Sequence, residues 1–498
     1  MGLSQRSIIY EINTWAWLNE ISRKYGSAVT LASVPEEEWD AIAALGVNAV
    51  WLMGVWERSP AGIRIAMQNE SLMASFRRAL PDFTEADNVG SPYCVRRYEV
   101  DPRLGGAGGL SSARERLAGR GIGLILDFVP NHLAPDHPWV TDHPEYFIQG
   151  SSIDLAADPS SFTEAVGKVF ACGRDPYFPA WPDVLQLNAF DPGLRQAAAG
   201  TLLDIAGQCD GVRCDMAMLM LNSVFERTWG SRAGRRPEAD FWSGIIPAVK
   251  ARHPNLKFIA EAYWDLEWEL QQQGFDFCYD KRLYDRLEKE GPESVRLHLE
   301  ADLAYQERLV RFIENHDEPR AAAVFSPERL RMAAVAAFTL PGAKLVHEGQ
   351  LEGRCVRLPV FLGRRPFETP DDEVKQFYLR LLKAVNDEVF KSGEWRLCEC
   401  RGWPDNLSYR NLLAWCWRLD ADFRIVVVNY CDSRSQGLVR LPMNDLHDKS
   451  VLLEDAFSNA CHSRSGAEMF QVGLFVNLPA WGYHFFKVHD ATGTAMDR

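Results

Sequence analysis

The chain of 498 residues carries a formal charge of −14, with 47% hydrophobic and 24% charged residues. That length allows two or three domains around a large core. The acidity excludes partners whose phosphates need a basic footprint, whether nucleic acid or an anionic membrane. The opening Met1-Gly-Leu-Ser-Gln-Arg6 runs into no long apolar stretch, and Arg6 stands where a myristoylation signal wants Ser or Thr. The longest apolar run, Met332 to Val346, is broken by Pro341-Gly342 and is too short to span a bilayer. Neither secretion nor membrane insertion is expected. Eleven cysteines, an odd number without a CxxC pair, fit buried free thiols in a reducing cytoplasm. Cys398 and Cys400 share one face of a strand, where core packing is preferred to a metal-ligand pair.

In chain order, Ile8 to Trp15 reads as a strand. A helix starts at Pro35, its first turn acidic with Glu36, Glu37 and Glu38, and stops at Gly46. Val47 to Met53 is a buried strand. The alternation continues with a helix near 110–117 and strand Ile122 to Asp127, then a helix near 192–205 and strand Asp210 to Asp215. A helix from Phe241 to Ala251 precedes strand Lys257 to Glu261. Strands follow at Phe275 to Tyr279, Leu309 to Ile313 and Lys344 to His347. Eight strands alternating with helices, without a glycine-rich phosphate turn after the first, predict a closed (β/α)8 TIM barrel of α/β class. Roughly sixty residues separate the third strand from its helix, too many for a simple loop, and predict a small inserted domain. After about residue 390 the short alternating runs Leu407–Tyr409, Leu412–Arg418, Phe423–Tyr430, Gly437–Leu441, Val451–Leu453, Leu474–Leu478 and Trp481–Val488 predict a C-terminal all-β sandwich. The expected partition is 1–132 with 191–390 as the barrel, 133–190 as the insertion and 391–498 as the β domain.

Acids stand at the ends of several of these strands. In Asp210-Gly-Val-Arg213-Cys-Asp215 the charges alternate with apolar residues, so both face one side. Asp127, Glu261 and Asp317 end three further strands. In a barrel the ends of the fourth, fifth and seventh strands converge, which assembles Asp215, Glu261 and Asp317 at one rim. Glycoside hydrolysis needs two carboxyls across the scissile bond, with a third able to stabilise the cationic transition state. Arg213 would keep Asp215 ionised as a nucleophile, and crowding by other acids would keep Glu261 protonated.

Four segments resemble, in order, the motifs of the α-amylase family of retaining glycoside hydrolases and transglycosylases: Asp127-Phe-Val-Pro-Asn131-His132, Gly211-Val-Arg213-Cys-Asp215, Glu261 after its apolar strand, and Asn315-His316-Asp317. Gly90-Ser-Pro-Tyr93 through Gly105 is similar to the family's loop after the second strand. The resemblance implies Asp215 as nucleophile, Glu261 as acid/base and Asp317 as transition-state stabiliser. It also implies Tyr93, His132, Arg213 and His316 around the sugar, with Asp127 and Asn131 as structural neighbours. The implied activity is a retaining α-glycosidase acting on α-linked glucosides or maltooligosaccharides through a covalent glycosyl-enzyme.

The chain departs from the family pattern in places. Ala217-Met218-Leu219-Met220 replaces the family's Lys-His beyond the nucleophile, which disfavours a starch endo-amylase and leaves two readings open, an apolar acceptor side that excludes water or plain packing. Arg97 replaces an acid. Leu185-Gln186-Leu187-Asn188 lacks the acid that often helps bind calcium, and Asn131 alone cannot supply six or more oxygens, so no cofactor is expected and calcium is disfavoured. A glucanotransferase or a glucoside isomerase would use the same triad with a sugar acceptor. A metal-dependent barrel hydrolase is disfavoured because Glu11 to Trp15 holds no His-x-His pair, and a non-catalytic glucan-binding barrel because no triad member is missing.

Overall fold

The computed structural model describes residues 3–442 and 449–490. Gly2 of the amino-terminal reading and the end of the expected 391–498 domain lie outside these. Eight parallel strands close into a barrel: β1 (Ile8–Asn13), β2 (Ala49–Met53), β3 (Gly123–Phe128), β4 (Gly211–Cys214), β5 (Lys257–Ala260), β6 (Phe277–Tyr279), β7 (Leu309–Arg311) and β8 (Ala343–His347). β2 and β3 are buried along their whole length, which is why they read as unbroken apolar runs. Helices fill the crossovers, among them Pro192–Ala206, which Asp191 caps by accepting from the Leu194 amide. Among the described residues no helix is long and apolar enough to cross a membrane, and all eleven cysteines are free thiols.

By density of contacts the chain divides into two compact units. The first comprises residues 8–279 and 356–367 with the first few residues, and so holds β1 to β6. Two excursions leave its barrel strands. After β2 a hairpin pairs Trp56–Arg58 with Val95–Val100, enclosing helices Pro60–Gln68 and Glu70–Ala79, which the sequence reading does not anticipate. They fold around a separate small core of Phe76, Ala79, Leu80 and Leu362. After β3 comes a four-stranded antiparallel sheet ordered His132–Leu133, Trp181–Gln186, Lys168–Gly173, Phe162–Ala165.

The second unit holds residues 5–7, 280–355 and those from 368 onward. Gly342 turns helix Pro327–Thr339 into β8 at φ +94°, and a Cβ there would collide with the Leu309 carbonyl, so only glycine fits. Its β domain is one antiparallel ladder of β9 (Glu394–Arg401), β10 (Leu412–Leu419), β11 (Asp422–Asn429), β12 (Ser435–Arg440), β13 (Ser450–Asp455), β14 (Cys461–Ser465), β15 (Leu474–Leu478) and β16 (Tyr483–Asp490). The order is β14-β13-β16-β11-β10-β9-β12-β15. The first half of β9 pairs with β10 and the second half with β12, so the ladder folds over one core drawn from both arms, including Cys398, Val427, Val439 and Val476 with Cys400 against it. Packing is therefore the environment of those two thiols. This domain also grips its neighbours in the unit. Trp417 donates its indole N–H to the Thr339 carbonyl (2.6 Å), a helix-end acceptor without an intrahelical partner, and Trp415 donates to Thr339 Oγ1 (3.1 Å). Arg6 lies 4.7 Å over the Trp417 ring and donates to the Gly393 carbonyl, and Tyr430 Oη donates to the Leu287 carbonyl.

Three expected strand segments differ for local reasons. β1 stops at Asn13 because the Asn13 side chain accepts from the Ala16 amide (3.3 Å) and starts helix Thr14–Tyr25. Residues 407–409 are not a strand. Asn406 Oδ1 accepts from both the amide and hydroxyl of Ser408 and folds the chain into the 3-10 turn Ser408–Asn411. The last strand starts at Tyr483 because Trp481 sits at φ +52°.

Candidate active site

The site is built on the register of three neighbouring strands. Arg213 on β4 lies opposite Asp127 on β3 and Ile259 on β5, and Cys214 lies opposite Ala260. Asp215 and Glu261, each one residue further, therefore leave their strands in step. Arg213 is 1% exposed and sits between them: its Nη1 donates to Asp215 Oδ1 at 2.7 Å and lies 3.5 Å from Asp127 Oδ1. Its Nη2 is 2.7 Å from Glu261 Oε2 but off the hydrogen-bond line, an ion pair rather than a hydrogen bond. The guanidinium is also caged by the rings of Trp51 (5.1 Å), Tyr93 (5.2 Å) and Tyr279 (5.7 Å). Burial alone would lower its pKa. Glu261, Tyr93, Tyr279 and Asp215 outweigh burial and hold it well above its ordinary value, so the cation is permanent.

Asp127 accepts from the Trp51 indole (3.1 Å) and the Gly54 amide (3.4 Å), while its carbonyl accepts from the Trp56 indole (2.7 Å), so it ties the loop after β2 to β3. Glu261 is met by donors where the sequence reading expects a crowd of acids. Tyr263 Oη donates to Oε1 at 2.7 Å, and the Met216 amide donates to Oε2 at 2.7 Å. Met216 reaches that carboxylate in a left-handed conformation, φ +41°, a strained turn immediately after Asp215.

His132 is buried in the insertion, its ring 5.1 Å from that of Trp181 and hydrogen-bonded to the Tyr93 backbone. Burial lowers its pKa to about 3, so it is a neutral imidazole at physiological pH. Asn131, beside it, does not offer its amide to a cation. Gln186, fully buried, donates from Nε2 to Asn131 Oδ1 (2.9 Å), the Asn131 carbonyl (3.0 Å) and the Leu187 carbonyl (2.9 Å). Its Oε1 accepts from Asn131 Nδ2 and the Arg174 amide, both at 3.3 Å. Where the resemblance would allow calcium, a neutral carboxamide strut joins β3 to the insertion. A hard dication needs oxygen ligands, several of them anionic, and this donor-rich pair does not fit it. Among the described residues no three His, Cys, Asp or Glu side chains are grouped for a metal.

Two predicted residues lie in the second unit, on the segment after β7. His316 Nε2 is 3.0 Å from Asp317 Oδ2, with His316 buried and the Asp317 side chain 38% exposed. Asn315 Oδ1 accepts from the amides of Asp317 and Glu318 at 2.9 Å and so shapes the turn that presents Asp317. Residues 217–220 are 0–3% exposed and form a 3-10 turn whose Ala217 carbonyl accepts from the Trp242 indole. They are core, so of the two readings the packing one holds. Exposed aromatic surface comes instead from Tyr177, 57% exposed, whose ring meets that of Trp264 edge-on at 4.8 Å. Sequence reasoning passed over Trp51, Tyr279, Gln186 and Tyr263. Only Tyr263 carried a signal, being two residues beyond Glu261 and so on the same side of an extended segment.

No family model matches the chain. Among curated proteins it is 24% identical over 445 residues to the α-amylase MalA of Haloarcula japonica, an alignment covering 86% of this chain and 56% of that protein. It is 22% identical over 385 residues to an α-1,4-glucan:maltose-1-phosphate maltosyltransferase of Picrophilus torridus, covering 73% of this chain and 54% of the other. The chain spans about half the length of the curated relatives it matches. Among solved structures, the noncanonic maltogenic α-amylase AmyB of Thermotoga neapolitana superposes with a TM-score of 0.69 at 21% identity, covering 98% of this chain and 99% of that one. The α-amylase of Geobacillus thermoleovorans in complex with acarbose superposes at 0.67 and 16% identity, covering 98% and 99%. At these identities the superpositions carry the fold.

Proposed function

We propose that this chain, which belongs to the α-amylase family of glycoside hydrolases and transferases, is a retaining α-glycosidase acting on α-linked glucosides or maltooligosaccharides. Asp215 is the nucleophile, Glu261 the acid/base and Asp317 the stabiliser of the oxocarbenium-like transition state. Tyr93, His132, Arg213 and His316 hold the sugar, with Asp127 and Asn131 fixing the loops beneath. The functional partition into barrel (1–132, 191–390), insertion (133–190) and β domain (391–498) goes with this reading, and the free thiols support a cytoplasmic location.

One observation carries the reading: a single buried guanidinium contacts both Asp215 and Glu261 at 2.7 Å. Carboxyls that share one guanidinium stand on one rim and face the same sugar ring, which supports double displacement; that mechanism needs about 5–5.5 Å between carboxyls, where single displacement needs roughly 6.5–9.5 Å. Asp215, ion-paired and hydrogen-bonded, attacks the anomeric carbon while Glu261 protonates the leaving oxygen. Glu261 then deprotonates the water that releases the sugar. The test is NMR of the first product formed from maltotriose: the α-anomer is expected, and a β-anomer refutes the mechanism.

Transfer to a sugar acceptor is a second reading, supported by the exposed Tyr177 and its contact with Trp264, three residues beyond Glu261. Aromatic faces are a surface that pyranose rings cover readily. Longer oligosaccharides accumulating from maltotriose would favour transfer, and glucose and maltose alone would favour hydrolysis.

A further inference from the structure

The two oxygens of Glu261 have unlike neighbours. Oε2 faces the Met216 amide and the Arg213 guanidinium, each 2.7 Å away. Both are donors with no lone pair to offer, so a proton on Oε2 would have nowhere to point. Oε1 faces the Tyr263 hydroxyl at 2.7 Å, the one partner here that can donate or accept. An acid catalyst must carry a proton, and only Oε1 can hold one without a donor-to-donor clash.

The backbone supports this assignment independently. Trp264 (φ +64°) and Asp265 (φ +61°), directly after Tyr263, are consecutive non-glycine residues in the left-handed region, as Met216 is on the other side of the carboxyl. Strain of that kind persists where the surroundings over-determine a geometry, and here it aims one donor at each oxygen of a single carboxyl.

We propose that Tyr263 is a positioning residue for the acid/base: it holds the Glu261 carboxyl in one rotamer and assigns the catalytic proton to Oε1. The inference rests on Glu261 being the acid/base. When Oε1 carries the proton its O–H bond points to the phenol oxygen, and when the carboxyl is ionised the Tyr263 hydroxyl donates to Oε1, the arrangement the structure holds. With substrate bound, that proton passes to the glycosidic oxygen as the C–O bond breaks, and the Tyr263 O–H turns to donate to the carboxylate left behind. In the second half-reaction the proton returns to Oε1 from the attacking water. The other titratable groups facing the carboxyl are Arg213 from β4 and Tyr279 from β6, with Asp215 across Arg213 and Glu11 of β1 next to Tyr279.

The test compares Tyr263→Phe with replacement of Tyr263 by difluorotyrosine, a more acidic phenol of nearly the same shape. Both are assayed on maltotriose and on 4-nitrophenyl α-maltoside across the pH range. A charge-assisted bond to the carboxylate is stronger than one to the neutral acid, so removing the hydroxyl should move the high-pH limb of kcat/KM upward by about half to one pH unit. The fluorinated residue should move it downward. Tyr263→Phe should also lower kcat on maltotriose about tenfold while leaving the aryl substrate, which needs no protonation, within about twofold. Limbs that stay put in both proteins, or equal losses on both substrates, overturn the proposal. Should Tyr263→Phe not fold, the direction of the limb in the fluorinated protein decides alone. Glu261→Gln is the control for the underlying reading: if it too spares neither substrate, Glu261 is not the acid/base, whereas a selective loss there with unmoved limbs at Tyr263 refutes only the role of the tyrosine.

Discussion

Replacing Gln186 by Met tests the strut between β3 and the insertion. The side chains are close in volume, so little cavity forms and the loss is almost purely of hydrogen bonds. The Leu187 carbonyl and Asn131 Oδ1 lose their donor, and the Arg174 amide loses its acceptor. The Asn131 carbonyl keeps the Leu187 amide (3.0 Å). A buried polar group left unsatisfied costs about 1–3 kcal/mol, so two or three orphans amount to roughly 3–5 kcal/mol. At an unfolding entropy of about 2.1 cal/mol/K per residue, the 498-residue chain unfolding as one unit would lose about 3–5 °C in Tm. The assay is scanning calorimetry of wild type and variant, with and without EDTA and with added Ca²⁺. Chelation should move wild type by no more than about 1 °C, because a neutral carboxamide stands in the joint. A Tm change in Gln186→Met of under 1 °C, or a wild type that falls with EDTA and recovers with Ca²⁺, would refute the reasoning.

Asp215→Asn keeps the shape of the proposed nucleophile and removes its charge, so turnover should fall by at least about 10³-fold while maltotriose binding by calorimetry survives; a variant within tenfold of wild type would exclude the proposed role. His132 and His137 are held by burial at about 3 and about 4, below the ordinary 6.5. Between about pH 6.5 and 4 the unfolded chain binds protons that the folded chain refuses, so stability should fall as pH falls there, opposed in part by Asp183, which burial raises to about 6. Urea midpoints at pH 7 and pH 4.5 measure this, and a double His→Gln variant should flatten the slope. Lys344, fully buried with Arg6 and Arg311 nearby and pushed down to about 7, is a cation the fold accommodates at a cost. Lys344→Met should stabilise by about 1–3 kcal/mol at pH 7, and the wild type alone should gain stability as pH rises from about 7 toward 10.5. Equal midpoints at pH 7 would count against it.

The barrel was legible because its crossovers force the chain to alternate between period-two and period-3.6 patterning, and because buried acids at the ends of several strands are costly unless partners or a ligand meet them. Asp215 and Glu261 stand out on that ground. What stayed hidden follows from chemistry that sequence spacing does not carry. The donors around Glu261 include a backbone amide, which has no side-chain signature, and a strained φ at Met216 that no residue preference announces. Gln186 differs from an ordinary strand glutamine only in what its amide meets. Spacing alone left Met218 to Met220 open between a cleft lining and packing, and the choice falls to core because a neighbouring helix, the one bearing Trp242, covers them. Strand ends failed at Asn13 and Asn406, where a side-chain oxygen outbid the ladder for a backbone amide.

The grip of the C-terminal sheet on its surroundings bears on how such proteins can be rebuilt. A cut near residue 390 removes the indole that terminates helix Pro327–Thr339, which is also the ring on which Arg6 rests, and leaves the Leu287 carbonyl without its phenol. The truncated chain would therefore carry an open acceptor at Thr339, on the helix that leads into β8, while Leu287 keeps the Arg329 guanidinium, and its losses should begin at that helix end rather than at the cut. Exchanging the tail between relatives amounts to transplanting a joint: Arg6, Leu287 and Thr339 must travel with Trp417 and Tyr430, or be matched by residues that meet the incoming sheet equally well.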